Sequence, residues 1–272
     1  MKLIDLTIAC VALLGLSACS TVGNSPELEP HMPKISWPNG AKAAIALTYD
    51  DGVNSQLDTA VPTLNDANLK GTFYIVVGRD GWNSRVRDWE VVSQQGHELG
   101  NKSIYHPCRA TGAGKGWISR DSDLDRYSAE QMAIELDKAN RILSSVDNET
   151  TRTFAYPCGE SQTSDGSYYA LIKPLFIGAR AVHDVPYEEN DRYNVTTFAA
   201  HNSSFEEVVS YIDGVIEKGE AGSLSFFGVG GDYLSVSADM HQKVIDYLKS
   251  RNDDVWVDTM VNIADHMEAA GW

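Results

Sequence analysis

Ala43-Ala44-Ile45-Ala46-Leu47-Thr48-Tyr49-Asp50-Asp51-Gly52 decides how this chain is read. Its apolar half does not alternate with polar residues, so it is expected to form a strand buried on both faces, the habit of a parallel sheet. The two acids and the glycine then fall on a tight turn at the strand's C-terminal end, where α/β barrels carry their chemistry. Adjacent carboxylates on such a turn suit a divalent-metal hydrolase, one binding the ion and the other accepting a proton from bound water.

The rest of the chain alternates as a barrel should. A helix around Leu57 to Ala67 precedes a second strand, Gly71 to Val77. Ser128-Ala129-Glu130-Gln131 is a capping box opening a helix to about Val146, and Ser204-Phe205-Glu206-Glu207 repeats the signal before a helix reaching Lys218. Strands near Leu224 to Val229 and Val255 to Thr259 flank a helix from about Ala238 to Ser250, and a last helix covers about Asn262 to Ala270. A chain of 272 residues, 43% hydrophobic, has enough apolar surface for one barrel domain.

Three further segments follow the first in order: Gly96-His97-Glu98-Leu99-Gly100-Asn101-Lys102-Ser103-Ile104-Tyr105-His106-Pro107, Phe154-Ala155-Tyr156-Pro157-Cys158-Gly159, and Leu224-Ser225-Phe226-Phe227-Gly228-Val229. Together the four segments resemble the successive motifs of the polysaccharide deacetylases, the NodB-homology enzymes of carbohydrate esterase family 4. The resemblance runs from about residue 40 to the C-terminus. It implies a distorted (β/α) barrel that uses zinc or a similar divalent ion to remove acetyl groups from amino sugars or acetylated polysaccharide. By position, it implies Asp50 as general base, Asp51 and His106 as metal ligands, and the backbone N–H of Cys158 as an oxyanion donor.

Two positions depart from the pattern in ways that matter chemically. The first histidine of a His-x-x-x-His ligand pair should stand at 102, where this chain has Lys102. An ammonium has no lone pair and repels a cation, so metal binding is expected to be weak or absent. Held near Asp51, Lys102 would instead occupy roughly the charge position of the ion. The histidine acid of the late motif corresponds to Phe227, which cannot donate a proton. A positioned acid or base contributes about 10²–10⁴-fold, so turnover is expected to be severely impaired or lost, leaving carbohydrate binding. The other reading is an active deacetylase working with Asp51, His106 and water as an incomplete ligand set. A milder departure is Ala155, where the family often has an arginine.

Plainer readings stand beside these. Lys102 could be a solvated lysine at a strand end, and Phe227 a core aromatic beside Phe226. His97 could join His106 as a replacement ligand or simply make a structural hydrogen bond, and His183, His201, His241 and His266 take surface or structural roles by default. The Gly-rich stretch Arg109 to Arg126 is an irregular insertion. Its Trp117 could stack on sugar beside Tyr156, or pack within a solvent loop.

A formal charge of -16 argues against nucleic acid or an anionic surface as partner and is compatible with a neutral or cationic sugar polymer. Residues 1–18 read as a secretory signal: Met1-Lys2, then an apolar stretch from Leu6 to Leu16. Leu16-Ser17-Ala18-Cys19 resembles the bacterial lipobox, which implies lipidation of Cys19 and attachment to a membrane. Ser20 after it resembles the outer-membrane pattern, so the expected address is the bacterial cell envelope, facing periplasm or exterior. Residues 19–39 read as a Pro-containing tether, and 40–272 as the deacetylase-like domain. With Cys10 removed and Cys19 lipidated, Cys108 and Cys158 remain, and an oxidising compartment favours a disulfide between them. Two inert thiols are the alternative.

Overall fold

The computed structural model describes residues 35–111, 114–188 and 191–272. The expected signal, Cys19 and most of the tether lie outside the described residues. Of the tether, 35–39 are described, and Ile35 and Trp37 are already buried against Met260, Ile263 and Met267. Packing therefore begins ahead of residue 40.

The strands are β1 (Ala43–Asp50), β2 (Thr72–Ile75), β3 (Glu98–Asn101), β4 (Thr153–Ala155), a small hairpin of β5 (Gln162–Thr163) and β6 (Gly166–Ser167), then β7 (Gly178–Arg180), β8 (Thr196–Ala199), β9 (Ala221–Phe226) and β10 (Val255–Asp258). Around them lie α1 (Val61–Ala67), α2 (Asp80–Asn83), α3 (Val86–Gln94), α4 (Ala129–Asp147), α5 (Tyr169–Ile172), α6 (Phe205–Lys218), α7 (Ala238–Ser250) and α8 (Met260–Ala269). Every pairing in the main sheet is parallel, in the order β7-β4-β3-β2-β1-β9-β8, with β10 against the first half of β1. A parallel bridge from Arg180 to Val195 brings the two edges together, so the sheet nearly closes into a barrel. This is the distorted (β/α) barrel the sequence implied.

β1 is buried along its whole length, as its unbroken apolar run requires. Both capping boxes form: Ser128 with Gln131 opens α4, and Ser204 with Glu207 opens α6. Two boundaries differ from expectation. β9 starts and ends earlier than Leu224 to Val229, which puts Phe227 just past the strand. The helix expected from Leu57 begins as a π-helical turn, Gln56–Ala60, before α1. That wider turn carries Gln56 inward, where its amide donates to the Asp50 carbonyl (2.6 Å) and the Phe227 carbonyl (3.0 Å), tying the ends of β1 and β9 together.

Candidate functional site

One cavity of about 680 Å³ opens at the C-terminal mouth of the barrel, and the ends of seven strands feed it. Asp50 and Asp51 come from β1, Arg79 from the turn after β2, Lys102 and His106 from the segment after β3, and Tyr156 and Cys158 from after β4. Arg180 ends β7, His201 follows β8, and Phe227 and Tyr233 follow β9. Trp117 of the insertion also lines the cavity and is 61% exposed, with Tyr233 half-exposed.

The backbone holds these groups under local strain. Asp51 (φ 76°), His106 (φ 54°) and Cys158 (φ 54°) are all left-handed, a conformation that costs a non-glycine residue about 1 kcal/mol or more. Hydrogen bonds over-determine the turn between Lys102 and His106. The Asn101 side chain accepts from Ser103 N (2.7 Å), Ser103 Oγ from His106 N (2.9 Å), and Glu135 from the N–H groups of Ile104 and Tyr105. At the facing wall, Cys108 and Cys158 form a disulfide that ties the loops after β3 and β4. Gly159 next to it has φ 68°, and a Cβ there would stand 2.1 Å from the His183 ring.

Lys102 is 4% exposed, so it is not a solvated lysine. Its ammonium lies 3.0 Å from Asp50 Oδ2 and 3.2 Å from Asp51 Oδ1. The outer oxygens are also taken by cations: Arg180 pairs with Asp50 Oδ1, and Arg79 Nη1 is 2.8 Å from Asp51 Oδ2, which the Tyr233 hydroxyl reaches as well. Asp51 Oδ1 faces Lys102 and, at 3.5 Å, His106 Nε2, but neither contact is aligned as a hydrogen bond. Burial opposes ionisation of Asp51. Lys102, His106, Arg79 and the Tyr233 hydroxyl outweigh it and hold the carboxyl below the usual range. Burial, aided by Lys102 and Arg79, lowers His106 to about 4 against the opposing pull of Asp51, leaving a neutral imidazole at pH 7.

This donor set does not suit a divalent ion. A catalytic site needs about three protein ligands around an open position, whereas here an ammonium sits between the carboxylates and two guanidinium groups occupy their other oxygens. The described residues bring His106, Cys108 and Cys158 within 4.8 Å of one another, but two of those sulfurs are spent in the disulfide.

Phe227 is no core aromatic: it lines the cavity, its ring 5.1 Å from Lys102 Nζ and edge-on to His201 at 5.5 Å. His97 is a structural residue, accepting from Gly71 N (3.0 Å) and meeting Asn65. His241 pairs with the Tyr49 hydroxyl at 2.7 Å. Sequence reasoning missed Arg79, Arg180, His183, His201 and Tyr233. For Arg180 the signal was structural: in the β4–β7 register it stands directly opposite Ala155, so the arginine absent from one strand is supplied by its neighbour.

A parallel barrel that gathers acids, a histidine and cations around a cavity at its C-terminal mouth has the architecture of the (β/α) barrels, whose active sites lie at that face. Residues 38–170 match the polysaccharide deacetylase family model. No curated protein matches it. Among solved structures it is similar to a Mycobacterium smegmatis protein assigned to the polysaccharide deacetylases (15% identity, TM-score 0.59, covering 88% of this chain and 94% of that one). It is also similar to a carbohydrate esterase family 4 pseudoenzyme from Bacillus anthracis (16%, 0.54, 82% and 66%), a mutant of which has restored enzymatic activity. A third is a family 4 acetyl xylan esterase from Clostridium thermocellum in complex with a cobalt ion (18%, 0.51, 84% and 92%). At these identities the likeness is one of fold. The family is in general metal-dependent.

Proposed function

We propose that this chain is a deacetylase-fold protein that keeps a cleft for acetylated or amino-sugar polysaccharide and has lost efficient metal-dependent hydrolysis. The observation that carries the reading is the Lys102 ammonium between Asp50 and Asp51. It neutralises the acids where a cation is needed without supplying a Lewis acid. The exposed Trp117 at the cavity rim supports sugar stacking. The Bacillus anthracis pseudoenzyme is a precedent for lost activity on this fold, and its mutant for restoration.

A neutral His106 beside the unaligned Asp51 Oδ1 favours the second reading, an active enzyme with Asp51, His106 and water as ligands. Elemental analysis separates the two. We expect well under one zinc equivalent, near-background deacetylation of chitooligosaccharide and acetylxylan, and measurable binding of one of these sugars by calorimetry. Stoichiometric zinc with turnover would establish the second reading. We further propose that the protein is a lipoprotein of the cell envelope anchored through Cys19, for which Cys19→Ala should release it from the membrane fraction.

A further inference from the structure

The replacement of Ala155 by Arg180 follows a strand-register rule, and the same rule applies on the opposite wall. β8 and β9 run parallel with Ala199 opposite Ser225, and the Ala200 N–H bonds the Ser225 carbonyl at 2.9 Å. Two residues beyond that pair, just past the ends of the two strands, stand His201 after β8 and Phe227 after β9, and their rings meet edge to face. Adjacent strands are about 4.8 Å apart, so an imidazole missing at 227 reappears one strand away.

His201 is not committed to a structural task. Its side chain makes no hydrogen bond among the described residues, and Nδ1 is buried without a partner, an unusual state for a polar atom in a folded protein. It lines the same cavity as Asp50, Lys102 and Phe227. By contrast both ring nitrogens of His97 have partners, and His241 bonds the Tyr49 hydroxyl through Nε2 although its Nδ1 is also unpartnered, whereas His201 has no side-chain hydrogen bond among the described residues.

We infer that His201 is the relocated proton donor of this cleft, serving a substrate nitrogen seated on the β8 side of the Phe227 ring. The inference rests on the deacetylase-fold reading above. In the reaction it would serve, the water oxygen bonds to the acetyl carbon, the carbonyl π pair moves onto its oxygen, and Asp50 takes one water proton. The C–N bond then breaks with its electron pair on nitrogen, which receives the proton of protonated His201. The carbonyl re-forms, acetic acid and a free amine leave, the acid releases its proton to solvent as acetate, Asp50 gives up its proton, and His201 regains one. In the unmodified chain this donor is present, and what is missing is the electrophilic metal that Lys102 excludes. The lost acid at 227 is therefore not a second lesion.

Two measurements test this. In the unmodified protein, the ring signals of His201, assigned by their loss in His201→Ala, should shift on titration with di-N-acetylchitobiose while those of His97 stay. Binding by calorimetry without a His201 shift would overturn the inference and leave the carbohydrate reading standing; no binding at all would bring down both. In the Lys102→His background with zinc added, deacetylation should appear without any change at 227. His201→Ala should then lower kcat/KM about 10²-fold or more, with partial recovery by free imidazole, which a packing role would not give. Adding Phe227→His to Lys102→His should change the rate less than roughly tenfold. A zinc-loaded Lys102→His protein that turns over only when Phe227→His is also present, or one indifferent to His201→Ala, refutes the relocation.

Discussion

The barrel buries carboxylates at both ends and solves the two problems differently. At the N-terminal end of β3, Glu98 accepts from Thr72 Oγ1 (2.8 Å), Thr153 Oγ1 (2.6 Å), Thr153 N (2.9 Å) and Val261 N (2.9 Å), and no cation among the described residues pairs with it. Burial pushes its pKa up, partly offset by those hydrogen bonds. At the C-terminal mouth, Asp50 and Asp51 share three cations, Lys102, Arg79 and Arg180, and Asp51 is pushed down. Dipoles suffice where the group only joins strands to α8. Charge is needed where two acids crowd one turn, and that demand for a cation survives whether the cation is a metal or part of the chain.

The largest expected effect comes from breaking the charged end. Lys102→Met removes the ammonium that contacts both acids, and loss of one partner from a buried ion pair costs about 3–5 kcal/mol. Chemical denaturation should show the loss as a lower midpoint. A stability change under about 1 kcal/mol would mean that Arg79 and Arg180 neutralise the acids unaided, and the proposed substitution of lysine for metal charge would lose its physical basis.

How far the sequence disclosed this site follows the same division. Asp50, Asp51, Lys102 and His106 were legible because each lies in a short contiguous motif after a readable strand, and the proline-flanked cysteines were legible as a pair. The barrel itself followed from the resemblance of the four motifs, with the buried β1 run and the alternation of strands and capped helices agreeing with it. Arg180, His201, Arg79 and Tyr233 were not legible, because nothing in their local sequence marks them. They reach the cavity through strand register or loop return, and register between strands such as β4 and β7 cannot be read from one chain. Phe227 was mistaken as a possible core residue because β9 was placed three residues too late, and an apolar strand looks the same when slid along its own sequence.

A smaller effect is expected at the dipole-held end. Glu98→Gln keeps the shape but turns one acceptor oxygen into an NH₂ group facing donors. Leaving such buried donors unsatisfied costs about 1–3 kcal/mol. Thermal unfolding of the two variants side by side sharpens the contrast: Glu98→Gln should be the milder. Were it the more damaging, buried dipoles would outweigh charge in this barrel, and the distinction between its two ends would not hold.

The smallest effect concerns pH and also belongs to the quiet end. Burial, with a lesser contribution from Lys70, lowers His97 from its ordinary 6.5 to about 4, and its ring is held as a neutral hydrogen-bonding group between Gly71 and Asn65. In the unfolded chain the same imidazole titrates near its ordinary value. Between pH 6.5 and about 4 the unfolded state therefore binds a proton that the folded state refuses. Stability present above this window is lost as pH falls through it, by about 1.4 kcal/mol per pH unit for one such histidine. His97→Gln removes this contribution, so its urea midpoint should fall less between pH 6.5 and 5.5 than that of the parent, a difference worth about 1 kcal/mol. The measurement isolates His97 because both proteins keep the same neighbours at that end, Glu98 and the buried Arg152–Asp147 pair included, and their contributions cancel in the difference. Parallel midpoint curves for the two proteins would show that His97 is protonated in the folded state and that the N-terminal end carries a charge this structure does not assign to it.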